Sequence, residues 1–173
     1  MKKFIVGAAA ILAAMSLPAL TATAQNHEVG AGVSVGGTGY LLNGRYGYNF
    51  NKNFRLEAEA AAGTFILGDV DYFVSAFAVA RRPFGENNSA VYARAGAGYM
   101  SFTSDFFCGG NLFPCETETR ALGQAGVGVE YFFSEKWGVK LDATAVVNPG
   151  DLDNGNNDDD FTGYGVFSIV RRF

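Results

Sequence analysis

The chain has 173 residues, enough for one domain and little more. Hydrophobic residues make up 49% and charged residues 17%, so it has ample apolar surface to bury and is not a disordered chain. A formal charge of −4 with no more than two basic residues in a row excludes a basic nucleic-acid binder. One His and two Cys cannot furnish a four-ligand Cys/His zinc site.

Met1–Ala24 reads as a secretory signal peptide. Lys2 and Lys3 form a positive start, Phe4 to Leu17 is apolar, and Ala22-Thr23-Ala24 is a small-x-small cleavage site before Gln25. An N-terminal membrane anchor is disfavoured, because the apolar run is short and ends at Pro18. Cleavage removes two Lys and no acids, leaving residues 25–173 with a charge of −6 in a compartment where disulfides form.

After the leader, polar and apolar residues alternate with period two, which predicts strands. The first is predicted over Glu28–Gly36, with Val29, Ala31, Val33 and Val35 on one face. The second covers Leu42–Phe50, with Leu42, Tyr46, Tyr48 and Phe50 against Asn43, Arg45, Gly47 and Asn49. The third covers Phe54–Phe65, with Leu56, Ala58 and Ala60 against Arg55, Glu57 and Glu59. The fourth, Asp71–Arg82, has Phe73, Phe77 and Val79 on its apolar face, and a turn over Arg82–Asn88 follows.

The fifth strand is predicted over Ala90–Thr103, with Arg94, Gly96 and Gly98 on its polar face. The sixth, Glu118–Phe133, carries Glu118, Arg120, Gln124, Gly126, Gly128 and Glu130 there. The seventh, Trp137–Val147, carries Gly138, Lys140, Asp142 and Thr144, and the eighth, Phe161–Phe173, carries Tyr164, Ser168 and Arg172. The links after strands two, four and six are short, whereas those after five and seven are long. Short turns at one end and long loops at the other are the pattern of an outer-membrane barrel.

A soluble sandwich would turn the apolar face inward; an outer-membrane barrel turns it to lipid. The charges decide. The polar faces hold six acids (Glu28, Glu57, Glu59, Glu118, Glu130, Asp142) and six bases (Arg45, Arg55, Arg94, Arg120, Lys140, Arg172). Such balance is what a narrow closed interior needs, because an unpaired charge withdrawn from water is costly. Gly at 30, 32, 47, 96, 98, 126, 128 and 138 makes room there for long side chains. Aromatics gather at both strand ends. Phe50, Phe54, Phe133, Trp137 and Phe173 mark the turn side, and Tyr40, Phe65, Tyr99, Phe102 and Phe161 the loop side, as two interfacial belts would.

With Arg45-Tyr46-Gly47-Tyr48-Asn49-Phe50-Asn51, Ala95-Gly96-Ala97-Gly98-Tyr99, Gly126-Val127-Gly128-Val129-Glu130-Tyr131 and the terminal Phe173, residues 26–173 resemble the small outer-membrane β-barrels of the OmpX and OmpA-transmembrane-domain type. The resemblance implies an eight-stranded antiparallel up-and-down barrel and a C-terminal signal read by the barrel-assembly machinery. Phe167, Ile169 and Phe173 fit that signal, while Arg171 departs from it. It also implies contact with outer-membrane lipid and lipopolysaccharide. A closed barrel leaves no free edge, so a monomer is expected.

Enzymes acting on lipid A exist on this scaffold and would need a His beside a Ser nucleophile. The one His, His27, stands at the start of the first strand, so no catalytic residue is assigned. Cys108 and Cys115 bracket six residues in the third long loop and are expected to form a disulfide. The segment from Asp151 to Asp160 is rich in carboxylates, but Gly155 comes one place early for a calcium loop and no Glu closes it. Asp151, Asp153, Asp158, Asp159 and Asp160 are at most weak, bridging cation ligands.

The sequence thus points to a non-enzymatic protein of the Gram-negative outer membrane without a cofactor or nucleic-acid partner. Its expected role is structural, surface display or interaction, with a charge-paired, largely filled interior. A low-conductance porin is the alternative, and a soluble periplasmic barrel would require the opposite orientation of the faces.

Overall fold

The computed structural model describes residues 26–36, 39–65, 70–103, 117–147 and 161–173. The leader, both cysteines and the acidic segment 151–160 lie outside these residues, as do the side chains of Phe65, Phe102, Glu118 and Phe161.

Eight strands follow in order: β1 His27–Gly36, β2 Gly39–Asn49, β3 Phe54–Phe65, β4 Val70–Phe84, β5 Ser89–Thr103, β6 Thr117–Phe132, β7 Trp137–Val147 and β8 Phe161–Arg172. Each pairs antiparallel with the next, and β8 returns to β1, closing the barrel. Closure satisfies every strand edge, which lets a sheet cross hydrocarbon. Glu28 pairs with Arg172 and Gly36 with Tyr164, so the seam is in register along almost all of β1.

Side chains alternate in and out along each strand. On β2, Leu41, Asn43, Arg45, Gly47 and Asn49 are buried, while Tyr40, Leu42 and Tyr46 are exposed. The buried positions face the lumen, and the exposed aliphatics and aromatics form the outer wall. Phe50, Phe54, Phe133 and Trp137 stand exposed at the turn side, and Tyr40 and Tyr99 toward the loops.

Two expectations need correction. The apolar face read for the fourth strand points inward: Phe73, Phe77 and Val79 are each at most 2% exposed, whereas Tyr72 and Val74 face out. Both faces of β4 are apolar, so alternation alone carries no sign there. The inward rings fill volume beside the glycine-lined β5, where Arg94 stacks over the Phe77 ring at 4.3 Å. The predicted turn at Arg82 also begins too early. β4 runs on to Phe84, with Pro83 paired to Ala90, and the turn itself is 85–88. A proline is tolerated so near a strand end.

The glycines of the inner face leave room where neighbouring groups approach closely. A Cβ on Gly47 would come within 2.8 Å of Arg55 Cδ, and one on Gly30 within 2.9 Å of Arg45 Cγ. At Gly32 it would collide with the Phe167 carbonyl oxygen of β8.

Candidate functional site in the barrel interior

An eight-strand barrel has an interior only wide enough for side chains. Here that interior is layered along the barrel axis. Among the described residues, five buried acids (Glu28, Glu57, Glu59, Glu130, Asp142) meet six buried bases (Arg45, Arg55, Arg81, Arg94, Lys140, Arg172).

Nearest the turns, Glu130 on β6 is the hub. Its carboxylate accepts from Arg55 Nη1 at 2.8 Å, from Arg81 Nε at 2.9 Å and Arg81 Nη2, and from Arg172 Nη2 at 3.3 Å. Glu28 on β1 shares two of these cations and adds a third: Arg55 Nη1 at 3.3 Å, Arg172 Nε at 3.5 Å and the Lys140 ammonium. The turn closes over this layer. Arg172 donates to the carbonyls of Asn87 at 3.1 Å and Asn88 at 3.2 Å, and its guanidinium lies over the buried Phe132 ring.

The middle layer is centred on three carboxylates. Glu57 accepts from Lys140 Nζ at 2.9 Å and lies 3.4 Å from Arg94 Nη1. Glu59 accepts from Arg94 Nη1 at 2.6 Å and from Asn43 Nδ2 at 2.7 Å. Asp142 accepts from Arg45 Nη1 at 2.8 Å and from the Tyr92 hydroxyl at 2.5 Å. Arg45 and Arg94 both reach across more than one carboxylate, so each anion is shared between cations. In a low-dielectric interior this sharing offsets part of the desolvation of these charges.

Above these lies a neutral polar step. Tyr164 donates to Gln124 Oε1 at 3.0 Å, and Gln124 Nε2 donates to Ser75 Oγ at 2.7 Å. The loop-side layer is apolar: Leu41, Ala61, Phe73, Met100, Leu122 and Val146, all at most 5% exposed, pack as one cluster with Tyr164 against it. This apolar plug sits on the loop side of the ion network, with the buried Ser34 and Ser101 beside it.

Sequence reading assigned most of these charges to the inner face, and the differences are local. Arg81 was missed, because it follows the apolar residues of β4 whose direction alternation left open. Its neighbour Arg82 points outward. Tyr92 and Asn43 were missed as partners because hydrogen-bonding across the lumen depends on register between distant strands. Arg120 has interior parity, yet its side chain is exposed. It pairs with Met100, a member of the apolar plug, so it stands at the loop-side limit of the packed interior. Glu118 lies outside the described side chains.

The remaining singled-out residues fall elsewhere. His27 is on β1 with Nδ1 2.6 Å from the Tyr46 hydroxyl and edge-on to Tyr48, in an aromatic group at the turn side. Phe167 and Ile169 face outward, and Phe173 is half-buried. Arg171, which departs from the assembly pattern, also points outward and stacks over Phe173 at 4.7 Å and Trp137 at 5.4 Å.

The family model described as "Outer membrane protein beta-barrel domain" matches residues 7–173. No curated protein sequence matches the chain. Among solved structures, the chain is similar to the N-terminal β-barrel domain of OprF from Pseudomonas aeruginosa, at a TM-score of 0.64 and 17% identity, covering 86% of this chain and 98% of that one. It is similar to Ail, the attachment invasion locus protein of Yersinia pestis, at 0.54 and 13%, with 86% and 98% covered. Neisserial surface protein A aligns at 0.51 and 15%, with 84% and 93% covered. At these identities the likeness is one of fold.

Proposed function

The chain belongs to the outer membrane protein beta-barrel domain family, and we propose that within that membrane it acts as a closed structural barrel that displays its loops. It is exported on its leader, inserted by the barrel-assembly machinery through the Phe167, Ile169 and Phe173 pattern, and works as a monomer amid lipid and lipopolysaccharide. It carries out no turnover.

The observation that supports this reading is the layering of the lumen. Ions crossing it would have to dissolve in the apolar cluster of Leu41, Phe73, Met100, Leu122 and Val146, then displace a network in which every carboxylate is shared. Both steps oppose conduction, since hydrocarbon gives an ion no partners. The interaction function then falls to the loops, where a disulfide between Cys108 and Cys115 would fix one tip. Alkylation only after reduction checks that bridge.

Single-channel recording tests the reading. Mature protein is refolded, shown to be folded by its heat-dependent gel mobility, and inserted in a planar bilayer. Silence is the expected result. Discrete, reproducible steps from the wild-type barrel would instead make it a low-conductance porin.

A further inference from the structure

We propose that the outer wall carries a phospholipid site: a groove for an acyl chain, headed by Arg82, that takes a phospholipid with a net-negative headgroup from the turn-side leaflet. The inference needs only a membrane-embedded barrel and is independent of whether the lumen conducts.

The groove follows from strand register. One outward row across the wall reads Arg82, Val91, Val129, Leu141 and Phe167, each paired with the next. The four apolar members are 38–57% exposed and form a ridge. The next row toward the loops reads Ala80, Ala93, Val127, Ala143 and Gly165, in which only Val127 is larger than alanine. The row beyond it has Ala78, Ala95, Ala125, Ala145 and Gly163. The wall is therefore cut back beside the ridge. Two shallow depressions, open along most of their outer side, lie there and meet at Ala93 and Val127. A chain seated in such a channel touches protein on its flank as well as its floor, and dispersion contacts accumulate with each added partner atom.

The turn-side end of the groove is polar and cationic. Asn53, Phe54 and Arg82 border it, and no carboxylate lines either groove. Phe54 pairs with Ala80, and the Arg81 amide donates to the Asn53 carbonyl at 2.7 Å, so Arg82 stands level with the β2–β3 turn. Exposed Phe84 stands two residues nearer the turn on the same strand and Phe54 lies level with Ala80, so Arg82 sits within the aromatic belt, at the level of the lipid headgroups. Arg82 is exposed and makes no ion pair within the described residues. A guanidinium in that position offers a planar fork to a phosphodiester. The absence of a nearby carboxylate in the lining leaves a net-negative headgroup unopposed.

Native mass spectrometry of the folded mature barrel in detergent tests this. The protein is titrated with phosphatidylglycerol or with phosphatidylcholine of identical chains. One phosphatidylglycerol should be retained, with a preference of about tenfold, equivalent to one charge-assisted contact. Arg82→Gln should erase the preference and Arg82→Lys should keep part of it. Ala93→Leu with Ala125→Leu, which fills the groove and leaves the headgroup contact, should weaken retention of both lipids. Equal retention of the two lipids by the wild type overturns the proposal. So does a filled-groove variant that holds phosphatidylglycerol as tightly as the wild type, or a preference that survives in Arg82→Gln.

Discussion

Arg55 on β3 donates to Glu130 on β6 at 2.8 Å, a bond that crosses the lumen between strands that are not neighbours in the sheet. It ties opposite walls of the barrel together. Glu130 also holds Arg81 and Arg172, and Lys140 lies 3.7 Å away, so one carboxylate is shared by four cations from four other strands.

Removing that charge while keeping the shape isolates its contribution. Glu130→Gln leaves Arg55, Arg81 and Arg172 buried with one fewer counter-charge. Breaking a buried pair on one side costs about 3–5 kcal/mol. The expected outcome is a large drop in the urea midpoint of the barrel refolded in lipid vesicles. A midpoint within error of the wild type would mean that water already reaches the cluster and screens it.

Glycine at the inner wall separates two kinds of crowding. A Cβ at Gly32 meets backbone, the Phe167 carbonyl oxygen, and the strands must part to admit it. At Gly47 it meets Arg55 Cδ, the middle of a side chain that can shift. Gly32→Ala should cost about 1–3 kcal/mol, in the range of overpacking, and Gly47→Ala less. Paired urea unfolding curves rank the two; equal losses would show that Arg55 is as immovable as the backbone.

These two cases also show what a one-dimensional sequence discloses. The inward direction of Arg45, Arg55, Glu57 and Lys140 was legible because their strands carry charge on one face and hydrocarbon on the other. β4 has hydrocarbon on both, so alternation left the direction of Phe73 and Phe77 open and Arg81 was lost with them. The hub at Glu130 was legible as a charge but not as a hub, since its partners come from β3, β4, β7 and β8. The apolar plug was invisible for a related reason. Leu41, Met100 and Leu122 are unremarkable apolar residues in sequence, and they become a layer only when register sets them at one height.

The outward Arg171 gives a prediction of small effect. It lies near the turn-side belt, stacked on Trp137 and Phe173, where an arginine facing lipid costs only about 0–1 kcal/mol. Arg171→Leu should therefore change the urea midpoint little. Its effect should appear in assembly, as faster accumulation of the heat-modifiable folded form in cells, because the variant restores the alternating apolar pattern with Phe167, Ile169 and Phe173. Unchanged accumulation would show that the assembly machinery tolerates a cation at this place.

The apolar layer yields the sharpest prediction, because it distinguishes between two barriers in series. If the ion network alone blocked the lumen, weakening the plug would leave the barrel silent. Phe73 and Leu122 are 2% and 5% exposed within the plug, and neither contacts a charge through a hydrogen bond. Phe73→Ser with Leu122→Ser removes two large side chains and supplies hydroxyls that water can use. The space opens toward the neutral step at Gln124, Ser75 and Tyr164, whose side chains already form a polar chain. Large-to-small changes at two core sites cost several kcal/mol, so the variant is first checked for heat-dependent mobility. Brief conductance steps from the folded variant, absent in the wild type, are the expected result. They would make the hydrocarbon layer the main barrier. Continued silence would assign that role to the shared carboxylates below it, and Glu130→Gln would then be the variant to record.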